Sequence, residues 1–240
     1  MKSEKRIKLK LELVKKRSVY ALDTFVDSWV IGAKKFFPLL GAWAICLLLP
    51  VILLVVGLFS GLALDALNGF HRGGIYTLIG LLVPGVMIGW MWAGWNYVCL
   101  KIAREIPVKV TDVFRPLPEA LSGLVALSIT SVLIGLGMIF VVPGVLLYLK
   151  WQLVPFYIVD RKYGPIKAMK QSWHDTDRMF ITLGLMDLLF AGVFTLISAT
   201  LFGPLALAMA FTMASALVYH NWLTDNDHPD MPLLEDEDHE

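Results

Sequence analysis

The chain has 240 residues, 57% of them apolar and 17% charged, with a mean hydropathy of +0.67 and a formal net charge of +1. An ordinary soluble domain is about 45–50% apolar and about 25% charged. Apolar residues spread along the whole chain exclude disorder, a collagen, a disulfide scaffold and a soluble enzyme on one anchor, and predict an all-α polytopic membrane protein.

Residues 1–35 carry ten Lys/Arg against four acids. Residues 1–17 read as a basic N-terminal segment. No cleavable signal is expected, because the basic region is long and the first apolar run continues without an A-x-A-like site. Within it, residues 7–13 (IKLKLEL) alternate strictly, which predicts a strand. Leu22, Phe25, Val26, Trp29 and Val30 then follow helical spacing, with Asp23, Asp27, Lys34 and Lys35 off the stripe. This predicts a helix lying in the inner membrane interface.

Six spans follow, at Pro38–Leu64, Pro84–Ala103, Leu121–Val142, Pro143–Val159, Phe180–Leu201 and Pro204–Leu223. A membrane-crossing helix needs about 20 mostly apolar residues. Several spans open on a proline at the first turn, where its missing N–H does no harm. Pro50 and Pro155 fall inside spans and are expected to kink them. The segments 1–37, 104–120, 160–179 and 224–240 hold 10, 3, 5 and 0 Lys/Arg, whereas the opposite loops hold only Arg72. That asymmetry puts both termini in the cytoplasm. The spans form one membrane domain, 18–224, followed by an acidic segment, 225–240, with eight acids and no Lys or Arg.

The chain repeats itself. Val83-Pro84-Gly85-Val86 recurs as Val142-Pro143-Gly144-Val145, and Trp92 and Trp151 share the same offset of 59 residues. Gly203-Pro204-Leu205 is a weaker third copy. Ser28-Trp29 before Phe37 and Gly41 matches Ser172-Trp173 before Phe180 and Gly184, while the copy from Thr111 to Gly123 lacks the tryptophan. The predicted unit is an interfacial helix plus a helix hairpin, used three times around a common core. The first copy carries an extra segment, roughly 65–83, with Asp65, His71 and Arg72, expected as a re-entrant or surface piece. Small residues at Gly57/Gly61, Gly85/Gly89/Ala93 and Ala206/Ala210/Ala214 predict close helix packing within the chain.

The stretch Trp151-x3-Pro155-Phe-Tyr-Ile-Val-Asp160-x3-Gly164-Pro165-x2-Ala168-x3-Ser172-Trp173 resembles a signature of a bacterial membrane superfamily. Asp112-Val-Phe114-Arg115 is similar as well. The superfamily includes the membrane domain ahead of some glycerophosphodiester phosphodiesterases and the YciC-type inner-membrane proteins. The resemblance covers about residues 18–224 and implies a six-span helical fold in the bacterial inner membrane. It brings no catalytic residues, and the phosphodiesterase barrel is absent from this sequence.

Polar candidates are few. Asp187 and Lys150 lie inside spans 5 and 4, and ionisable groups at membrane depth are functional candidates. At about 1.5 Å per residue, Lys150 lies about 15 Å and Asp187 about 10 Å from the inner face. A Lys150–Asp187 ion pair joined by Gln152 is therefore expected, as a structural register pin or as a substrate, headgroup or proton site. Asp160 with Gly164-Pro165 is expected to cap the turn after span 4. Asn96, His220 and Asn221 read as helix-end hydrogen bonders, and Trp90, Trp92 and Trp95 as packing and anchoring groups. His71, His174, His220 and His228 show no metal-ligand spacing, Cys46 and Cys99 lie apart in apolar runs, and no cofactor is implied.

The basic N-terminus is expected to attract anionic headgroups rather than nucleic acid, at about 1 kcal/mol per basic residue near the surface. The acidic segment suits a basic partner or the N-terminus itself. Three classes remain in view: a non-enzymatic scaffold or accessory subunit organising lipids or a partner protein; a transporter or lipid-translocating protein using Lys150 and Asp187; and an intramembrane enzyme, for which no nucleophile–base pair or metal cluster is visible.

Overall fold

The computed structural model describes residues 2–68, 74–197 and 203–225, and all regular structure among them is helical. The helices are α1 (Lys2–Lys34), α2 (Phe36–Leu67), α3 (Ile75–Ala103), α4 (Ala120–Met138), α5 (Val142–Trp151), α6 (Val154–Arg161), α7 (Pro165–Ile197) and α8 (Gly203–Asp225). A short 3₁₀ turn, Val110–Phe114, links α3 to α4. Five stretches are long and apolar enough to cross a membrane: Phe36–Leu67, Ile75–Ala103, Ala120–Met138, Val142–Arg161 and Pro165–Leu196. This is the architecture of a membrane protein.

The strand expected at residues 7–13 is absent. Those residues continue α1, because a strand without a neighbour leaves its backbone groups unpaired whereas a helix pairs them internally. The apolar stripe that follows is also divided. Ala21, Thr24 and Ser28 are buried, and Phe25 and Trp29 pack on α7, their ring centroids 4.8 and 6.4 Å from that of Phe190. Val19, Leu22, Val26 and Val30 point away and stay about half exposed.

The interfacial helix expected before span 5 is not a separate element. No proline or glycine interrupts residues 166–183, so α7 runs as one helix of 33 residues. The corresponding piece before α4 is only the 3₁₀ turn, so the three segments preceding the expected repeats differ from one another.

The extra segment of the first copy is mostly helix. α2 continues to Leu67 and α3 begins at Ile75, which leaves Pro84 inside α3 instead of at its first turn. Asp65 is buried and reaches across to the start of α3, accepting hydrogen bonds from Thr77 N (2.9 Å), Thr77 Oγ1 (2.6 Å) and Tyr76 N (3.3 Å). It caps a neighbouring helix whose first N–H groups lack intrahelical partners. His71 and Arg72 lie outside the described residues. Lower in the hairpin a Cβ at Gly57 would collide with the Gly80 carbonyl, and one at Gly61 with the Thr77 backbone. Pro84 lacks the N–H that would bond Gly80 O, so this carbonyl is free to face Gly57.

The core lies where the second half of α3 meets α6, α7 and α8. Leu100, Leu153, Phe156, Leu183, Met213 and Tyr219 are fully buried there. The turn from α4 to α5 has the opposite character. Met138 to Val142 are all exposed and apolar, yet Ile139, Phe140, Val141 and Val142 each donate their N–H to a carbonyl of the turn. Val141 adopts φ 56°, a costly conformation for a β-branched residue.

Candidate polar site

The site begins with a break in the backbone. Pro155 has no N–H to donate, and its ring excludes the carbonyl four residues back. The expected kink is a two-residue break in the helical hydrogen bonding between α5 and α6, at Gln152–Leu153. The Lys150 carbonyl, freed by this break, accepts hydrogen bonds from Ser172 Oγ (2.7 Å) and Thr176 Oγ1 (3.4 Å) on α7.

The Lys150 side chain turns toward the same part of α7. Its ammonium pairs with the Asp177 carboxylate, lies 3.4 Å from the Trp173 carbonyl and sits 5.2 Å from the centre of the Trp173 ring. The expected Lys150–Asp187 pair does not form. α7 begins at Pro165, well ahead of the span expected from Phe180, and meets α5 at residues 172–177, ten residues before Asp187.

Gln152 does join Asp187. Its Nε2 donates to Asp187 Oδ1 (3.2 Å) and to Ser215 Oγ (3.0 Å), and Ser215 Oγ donates to the Phe211 carbonyl (3.1 Å). Both Gln152 amide protons and the Ser215 hydroxyl proton are thereby used. Asp187 Oδ2 and Gln152 Oε1 are buried acceptors without a hydrogen-bond partner among the described residues. The cluster has more acceptors than donors.

A second network occupies the end of the bundle where α3 and α6 finish. Arg104 grips Asp160 with two hydrogen bonds, of 2.8 and 2.9 Å, and Tyr219 donates to the same carboxylate at 3.0 Å. Both charged side chains are buried, Asp160 completely. Asp160 thus ties α3, α6 and α8 together and does not cap the turn into α7. Lys101 pairs with Asp112 at 3.0 Å, and Asp112 also accepts from Lys109 N (3.0 Å) and lies 3.4 Å from Arg115. Asp175 accepts from the Tyr157 hydroxyl and from Gln171 Nε2.

Of the helix-end candidates, Asn96 bonds the Trp92 carbonyl of its own helix, whereas Asn221 reaches Tyr20 of α1 at 2.9 Å. The Nδ1 atom of His220 is buried without a hydrogen-bond partner. Among the described residues no three His, Cys, Asp or Glu side chains converge as metal ligands. His228 and the rest of the acidic segment beyond Asp225 lie outside them.

Sequence reasoning missed Arg104, Lys101, Asp175, Asp177 and Tyr219. The signal available was the 23-residue motif itself, whose residues meet in a clasp: Trp151 packs on Trp173 with centroids 6.0 Å apart, Pro155 breaks the helix, Ser172 takes the freed carbonyl and Asp160 receives Arg104.

No family model matches the chain, and no solved structure matches it. Among curated proteins it is similar to Uncharacterized protein Rv2560 of Mycobacterium tuberculosis (strain ATCC 25618 / H37Rv), with 31% identity over 99 residues. The match takes in 41% of this chain and 30% of that relative's length.

Proposed function

We propose that this chain is a non-enzymatic protein of the bacterial inner membrane that organises lipids or a partner protein as a scaffold or accessory subunit. In this reading α8 is a sixth span, the hairpins are repeats of one unit, both termini are cytoplasmic, and the fold belongs to the YciC-type superfamily. The observation that carries it is the two-faced α1. One face is buried on α7 and α8, while Val19, Leu22, Val26 and Val30 form an outward apolar stripe, with Lys15, Lys16, Lys34 and Lys35 exposed at its two ends. Such a helix lies in the interface with its cations at headgroup level. The buried polar groups also support it, because Asp112 and Asp160 are engaged by cations of the same chain, as structural pins are.

The test is photocrosslinking in native membranes from a reactive residue placed at Leu22 or Val26. Adducts with lipid or with one discrete protein are expected. A stripe that labels only with water-soluble reagents overturns the reading.

One observation favours transport or lipid translocation instead: the acceptor-rich Gln152–Asp187–Ser215 cluster, with two unpartnered oxygens at membrane depth. Flux across proteoliposomes that disappears in Asp187→Asn would establish that alternative.

A further inference from the structure

We propose that the groove between α2 and the wall made by α3, α4 and α8 holds one acyl chain of an anionic bilayer lipid. The proposal rests on the membrane setting of the reading above and names one lipid site within it.

The groove is a cavity of about 360 Å³ in the spanning part of the chain. Trp43 and Pro50 of α2 line one side, Trp92 and Trp95 of α3 its floor, and Leu127 of α4 and Ala208 of α8 the other side. Its lining is apolar, and the Cys46 thiol at its edge is already turned to the Met91 carbonyl at 3.4 Å.

Size and chemistry select the occupant. Water needs two to four polar partners, and beyond the Cys46 thiol and the indole N–H groups every side chain of this wall is hydrocarbon or thioether. A polar solute needs convergent donors and acceptors for orientation. A helix of a second chain is about 10–12 Å across with its side chains, far more than this volume admits. A volume of 360 Å³ holds about a dozen groups of water or methylene size, at about 30 Å³ each, which is most of one acyl chain. The indole rings give that chain flat, rigid contacts.

Charge selects the headgroup. Lys34 and Lys35 are exposed at the start of α2, and Trp43 lies eight residues further along, about 12 Å by helical rise. An acyl chain seated beside Trp43 thus brings its phosphate to the level of two cations, where an anionic headgroup gains most.

The test is native mass spectrometry of the full chain, released from nanodiscs of equal phosphatidylglycerol and phosphatidylcholine. Wild type is expected to retain one phosphatidylglycerol, preferred at least fivefold over phosphatidylcholine. Ala208→Phe and Val51→Trp fill the groove from opposite sides at solvent-accessible positions. Each is expected to cut the retained lipid at least tenfold with an unchanged melting temperature. Lys34→Gln/Lys35→Gln is expected to keep one lipid but lose the preference. Full lipid retention in the groove-filled variants, a lipid-free wild type, or a dimer mass in place of the lipid overturns the acyl-chain site. An unchanged preference in the double lysine variant overturns the headgroup assignment. Where a filled variant fails to fold, tryptophan quenching of wild type by acyl-brominated phosphatidylglycerol decides: saturation at one lipid per chain supports the site, and non-saturating quenching overturns it. Because α1 crosslinking reads a different surface, lipid retention without α1 adducts leaves the groove standing and the scaffold reading lost.

Discussion

Asp160 shows how a single buried carboxylate can set the arrangement of three helices. Removing one member of a buried ion pair strands the other, at a cost of about 3–5 kcal/mol. Arg104→Met is therefore expected to lower the melting temperature in detergent sharply. Tyr219→Phe, which removes one hydrogen bond to a charged group, should cost about 1.5–3 kcal/mol. The Lys150–Asp177 pair behaves differently. The Asp177 side chain is 63% exposed, and the buried Lys150 ammonium keeps the Trp173 carbonyl and ring, so Asp177→Asn is expected to cost under about 1 kcal/mol. Ser172→Ala strips a buried carbonyl of its shorter hydrogen bond and should cost about 1–3 kcal/mol. Denaturant unfolding that ranks Asp177→Asn above Ser172→Ala would refute this ordering. For Asp187→Asn the sign reverses: the new amide supplies a donor to a cluster short of donors, so the melting temperature is expected to hold or rise. A fall of several degrees would mean that Asp187 has a cationic partner after all.

Among the elements, α3 depends on a cap borrowed from α2. Asp65→Ala removes the acceptor for three donors and should cost about 1–3 kcal/mol, read as faster amide exchange at Tyr76 and Thr77 than in wild type. Unchanged exchange there would show that the cap is dispensable. Five of the expected apolar spans were legible in the sequence because lipid demands long apolar runs, and the Pro155 break was legible because proline chemistry is local. The α1 strand was misread because alternation records only side-chain polarity and carries no information on whether a partner strand exists. The Lys150–Asp187 pair was misread for a related reason. Depth along an upright span is legible, but the angle at which α7 crosses α5 is set by packing between residues far apart in sequence.

The whole molecule divides into a packed end and an open one. Buried ion pairs and aromatic contacts concentrate where α3, α6, α7, α8 and α1 meet, while α2, the first half of α3 and the α4–α5 turn present apolar side chains outward. The proposed arrangement has both termini in the cytoplasm, so single cysteines placed in residues 1–17 and 225–240 are expected to label together from the cytoplasmic face only. Labelling from opposite faces would mean an odd number of spans and overturn α8 as a sixth span. The α4–α5 hairpin has a consequence for how the chain enters its membrane. From Val132 to Leu147 no side chain carries nitrogen or oxygen, and the turn's own carbonyls receive the N–H groups of residues 139–142. No side chain of that hairpin tip has to shed bound water, so the tip can pass from the translocation machinery into lipid ahead of Lys150 at the far end of α5.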